Sequence, residues 1–68
     1  MKKELLKEGM KCKVSRLLTD VEGALYEGDI VTVNDWTEVG KSIETIVVYV
    51  TDDIGKHHSV SLADIEPL

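Results

Sequence analysis

Sixty-eight residues, 43% hydrophobic and 31% charged with one proline, describe a single folding unit and exclude a disordered or low-complexity segment. A chain of this size buries only about 60% of its unfolded surface, so its stability margin is small. The net charge of −5 is split: residues 1–16 carry six basic against two acidic side chains, whereas residues 17–68 carry two basic against eleven acidic, so the acidic majority repels phosphate backbones.

Cys12 is the only cysteine, which rules out an internal disulfide and a cysteine zinc site and leads us to expect a reducing, cytoplasmic location. No apolar run approaches the roughly 20 residues of a membrane helix. The opening MKKELLKE lacks the apolar core of a secretory signal. No membrane partner is expected.

Residues 3–8, KELLKE, are good helix formers, and Gly9 follows where a helix C-cap glycine would sit. A short helical segment over residues 1–9 is predicted, and so short a helix is marginal alone, so Leu5 and Leu6 must dock. From Met10 the period becomes two. Met10, Cys12 and Val14 alternate with Lys11, Lys13 and Ser15, a strand with one buried face that places the Cys12 thiol in the core. Residues 17–27, LLTDVEGALYE, show no sustained period and read as an excursion loop with Leu25 tucked inward.

The stretch ALYEGDIVTVND turns on Gly28 and Asp29 and enters a second strand. Parity puts Val31 and Val33 on one face and Ile30, Thr32, Asn34 and Trp36 on the other. WTEVGKS, residues 36–42, reads as a loop turning on Gly40. IETIVVYVT, residues 43–51, is a β-branched third strand with apolar residues on both faces. DDIGK then makes a tight turn on Gly55. In the fourth strand His58, Val60 and Leu62 alternate with His57, Ser59 and Ser61. ADIEPL supplies a 3₁₀ turn over residues 63–65 and a short closing strand.

Five short strands, a long first excursion, a tight hairpin before the fourth strand and a 3₁₀ turn before the fifth resemble an SH3-like barrel, carried by LYEGDIVTV and VSLADIEPL. The resemblance covers residues 10–68 and implies an all-β, five-stranded barrel behind the N-terminal segment. EGDIVTVNDWTEVGK also resembles a KOW-type nucleic-acid module, without that motif's basic residues and second glycine-valine step. Polyproline recognition needs an aromatic-lined groove, and the aromatics here are Tyr26, Trp36 and Tyr49 alone.

The residues carry little chemistry. His57 and His58 lie near Asp52 and Asp53 across the predicted hairpin, but neighbouring strand residues point to opposite faces and would not ligate one ion. No phosphate loop, catalytic triad spacing or paired carboxylate motif occurs, and a barrel so small has little interior for a substrate. The expectation is a protein that is not an enzyme and has no cofactor or metal.

Binding is the better reading. With Val31, Val33, Ile46, Val48 and Val50 inward, parity places Ile30, Trp36, Val47 and Tyr49 outward as one apolar patch, which a protein partner, a second copy or the N-terminal segment would cover. The expected function is therefore a small protein-interaction or modulator domain; by analogy of size and fold, phages and prophages encode such accessory proteins. The alternative is a nucleic-acid-associated barrel using Lys11, Lys13 and Arg16.

Overall fold

The computed structural model describes residues 1–20 and 23–68, with Asp20 described by its backbone alone. Alternation sets the first strand, β1 (Lys11–Val14), which buries Cys12 and Val14 and exposes Lys11 and Lys13. Two three-residue strands follow, β2 (Leu18–Asp20) and β3 (Gly23–Leu25). The longer β4 (Ile30–Glu38) pairs with β5 (Ile46–Thr51), and β6 (His57–Ser61) and β7 (Ile65–Pro67) complete the chain. Strands β6-β5-β4-β1-β7 form one five-stranded sheet, antiparallel at every pairing, and β2-β3 form a separate two-stranded one. Among the described residues no ladder joins the two sheets or closes the larger one into a ring.

The inward faces meet in one cluster: Leu6, Cys12, Val14, Leu25, Val31, Val33, Ile46, Val48, Val50, Val60, Leu62 and Ile65. Full burial of such side chains is worth about 1.5–3 kcal/mol each, and this offsets the ordering of a short chain. Between β3 and β4 the chain reverses on Gly28, whose φ of 91° a residue with a Cβ adopts only under strain. The Asp29 carboxylate accepts the Tyr26 N–H at 2.9 Å and fixes that turn.

Five expectations are corrected. Residues 36–38, read as the start of a loop, instead continue β4 to Glu38. The N-terminal segment is not helical beyond one 3₁₀ turn, Lys3–Leu5, because the chain straightens at Leu6 to bury that side chain while Leu5 stays exposed. The predicted excursion loop is instead a hairpin in which Leu18 faces Leu25; residues 21 and 22 of it lie outside the described residues. Residues 43–45, expected in a strand, form a 3₁₀ turn, Ile43–Thr45, and the Val39 N–H closes this loop on the Thr45 carbonyl at 3.0 Å. The 3₁₀ turn near the C-terminus spans Leu62–Asp64, one residue earlier than predicted, with the Ser61 hydroxyl accepting the Ala63 N–H at 3.1 Å.

A β-bulge carries the largest consequence. Val33 pairs with Val50 but Asp35, not Asn34, pairs with Tyr49, so Asn34 is an extra residue in β4. Every later side chain of the strand is rotated to the opposite face from the one an unbroken count gives. Trp36 therefore faces Val48, on the core side, and packs half-buried against the core.

Candidate interaction site

On the outer face, register aligns Lys11, Thr32, Thr51 and His57 in one row across four strands. Lys11 Nζ donates to Thr32 Oγ1 at 3.1 Å, Asn34 Nδ2 donates to Thr51 Oγ1 at 2.7 Å, and His57 Nδ1 lies 3.2 Å from the same hydroxyl. This polar row divides the face. Ile30 lies on one side of it, beside Lys13. Val47 and Tyr49 lie on the other, between Thr37 and Ser61 and between Asp35 and Ser59. With Trp36 turned to the core, the structure brings together only Val47 and Tyr49 of the four residues expected to form a patch. The local sign of the break was the polar pair Asn34–Asp35 in mid-strand.

The three basic candidates do not line one surface either. Lys11 and Lys13 project from the outer face of β1, where Lys13 sits in register between Ile30 and Glu66. Arg16, beyond the strand, turns to Asp64, with Nε 2.6 Å from Oδ1. That carboxylate is almost fully buried, and its backbone carbonyl also accepts the Ser15 N–H at 2.9 Å.

The two histidines point apart. His57 is exposed, whereas His58 is buried opposite Val50 with Nε2 2.8 Å from Asp52 Oδ2. The other oxygen of Asp52 accepts the N–H groups of Ile54 at 3.1 Å and Lys56 at 2.8 Å, so one carboxylate closes the β5–β6 turn. The bond from His58, reinforced by those two N–H groups, holds the Asp52 carboxyl below its ordinary pKa. Among the described residues no three His, Cys, Asp or Glu side chains converge as a metal site would require. Cys12 has no exposed surface, and burial pushes its thiol pKa up.

An open groove of about 300 Å³ runs between the β2–β3 hairpin and β6. Arg16, Leu17, Leu18 and Thr19 form one wall; Ser59, Val60, Ser61 and Asp64 form the other. The Arg16–Asp64 ion pair bridges the two walls. Leu17 is 54% exposed at the rim, and the hairpin register continued one step sets it across from Tyr26, which is 62% exposed. No motif announced this site, since Arg16 and Asp64 are 48 positions apart. No protein-family model, no curated protein and no solved structure matches the chain.

Proposed function

We propose that this chain is a non-enzymatic protein-interaction domain of SH3-like topology that receives an extended segment of a partner protein in the groove between β2 and β6. The strand order β6-β5-β4-β1-β7, the hairpin inserted between β1 and β4, and the 3₁₀ turn before β7 support the topology. The groove carries the functional reading. Both of its walls are built largely from extended chain, so its long direction suits an extended peptide, and its volume lies at the low end of binding pockets.

Its chemistry is mixed. Leu17 offers apolar contact at the rim, while the buried Asp64 pairs with Arg16, whose largely exposed charge orients a polar group of the partner. A nucleophile is poorly provided for, because the one cysteine is buried with a raised pKa and the buried histidine is committed to the Asp52 turn. Among the described residues no helix is long and apolar enough to cross a membrane.

The test places a photo-crosslinking side chain at Leu17 and, in a separate variant, at Val47 on the outer face. A partner captured from Leu17 and lost with Arg16→Ala supports the groove. Capture from Val47 alone moves the contact surface to the outer face, and capture from neither removes the reading.

A further inference from the structure

Residues 1–6 form a strap whose contacts run from Glu66 of the edge strand β7, past Cys12 of β1, to Glu38 at the far end of β4. The strap adds no strand to the sheet. Two apolar side chains anchor it: Met1, whose side chain is buried with Sδ 4.0 Å from Cys12 Sγ, and Leu6, which is part of the core. One side-chain ion pair fastens it, with Lys3 Nζ 2.8 Å from Glu38, and the Met1 nitrogen lies 3.6 Å from Glu66. Cys12 lies beneath Met1, and Trp36 packs against the same core cluster as Met1. The strap's seat is therefore apolar at Cys12 and acidic at Glu38, with Glu66 at the edge of the sheet.

We infer that this seat is a recognition surface for a short cationic and apolar segment of a partner protein, occupied here in cis by the chain's own residues 1–6. A competing segment needs two apolar anchors spaced as Met1 and Leu6 are, and a lysine or arginine placed to meet Glu38. Charge favours it, because the body beyond residue 16 carries two basic against eleven acidic side chains. Between its two buried anchors the strap is weakly held. Its three-residue 3₁₀ turn has no stability of its own, and both partners of the Lys3–Glu38 pair are about half exposed, where ion pairs contribute little. Gly9, with φ of 85° and open space around it, is the pivot, tied to the body where its N–H meets the Val33 carbonyl at 2.7 Å. A strap tethered at high effective concentration lowers a competitor's apparent affinity by the fraction of time it stands open, which makes it an autoinhibitory contact. This inference is independent of the groove between β2 and β6.

Cys12 reports the opening in the full chain, because the Met1 side chain lies against it. Thiol labelling of the native protein is expected to proceed through a local opening whose rate barely changes in dilute urea, and Lys3→Glu is expected to speed it severalfold without altering the circular dichroism spectrum. A synthetic peptide, MKKELLKE, at millimolar concentration should slow labelling of the Lys3→Glu protein, and MEEELLEE should not. Lys3→Gln, at the same half-exposed position, guards against misfolding of the first variant. Labelling that tracks global unfolding, or equal action of the two peptides, overturns the inference. Dimerisation that rises with protein concentration and is lost with Lys3→Glu also overturns it, by making a second copy's strap the occupant.

Discussion

Strands β4 and β5 lie side by side, yet they obey different counts. In β5 the alternation is unbroken: Ile46, Val48 and Val50 face the core, and Val47, Tyr49 and Thr51 face out. In β4 it holds as far as Val33, skips at Asn34, and resumes in the opposite phase. Side-chain direction along a strand is a running count, so one unpaired residue inverts everything after it. The same rule that correctly placed the β5 valines therefore misplaced Trp36, and an apolar patch assembled across the two strands fell apart at the skip.

The largest effect should come from placing a charge on either side of the bulge. An unbroken count puts Val33 and Thr37 on one face; the observed register separates them, with Val33 fully buried and Thr37 exposed. Val33→Asp would bury an unpaired carboxylate in a domain whose whole stability is on the order of 5 kcal/mol, and it should not fold. Thr37→Asp should change stability by less than about 0.5 kcal/mol. Urea titration followed by circular dichroism separates the two, and similar losses in both would return Thr37 to the core face.

A smaller contrast sets Trp36 against Tyr49. Removing a fully buried tryptophan costs about 3–5 kcal/mol, so half-buried Trp36→Ala should cost roughly 2 kcal/mol, whereas Tyr49→Ala on the outer face should cost less than about 1 kcal/mol. The native emission of Trp36 should lie blue of its emission in denaturant. Emission equal to that of the unfolded chain would put the ring in water and discard the bulge.

Deleting Asn34 should have a milder effect and gives the sharper result. Without it Asp35 follows Val33 directly, still opposite Tyr49, and Trp36 stays opposite Val48. The Asn34–Thr51 hydrogen bond is lost, at a cost of about 1 kcal/mol, along with the local bend. The tryptophan emission should not move. A blue shift on deletion would mean that Trp36 had faced outward in the intact strand.

How much the sequence disclosed varies by region for the same reason. Strands β1 and β6 were legible because each alternates over several residues with one face buried, and β5 because its run of β-branched residues has the composition of a strand. The β2–β3 hairpin was not, because its strands hold three residues each and the inward pair Leu18–Leu25 is masked by Leu17 immediately before it. KELLKE has the composition of a helix, but docking of Leu6 and the Gly9–Val33 hydrogen bond override that preference. The Arg16–Asp64 bridge and the groove around it arise from topology, which brings the end of β1 beside the last 3₁₀ turn, and no local spacing encodes that meeting.

The regular side of the comparison, β5 with β6, has its own vulnerable point, and the smallest predicted effect lies there. The β5–β6 turn is closed by the Asp52 carboxylate, bonded to His58, Lys56 and Ile54. These bonds lower the folded pKa of Asp52 from its ordinary 3.8, so its ionised form stabilises the native state. That contribution is complete above the unfolded pKa and disappears as pH falls through 3.8 toward the lower folded value. Asp52→Asn should therefore be less stable than the native chain at neutral pH. The gap should be modest, because the asparagine Oδ1 can still accept the Lys56 and Ile54 N–H groups, and it should narrow as pH is lowered below about 4. Urea midpoints of the two proteins between pH 7 and pH 3 measure this directly. Curves that stay parallel across that range would show that the turn is held by its backbone hydrogen bonds alone, with Gly55 N–H on the Asp52 carbonyl at 3.1 Å and Asp52 N–H on the Lys56 carbonyl at 2.9 Å, and that the carboxylate contributes no more than a neutral acceptor.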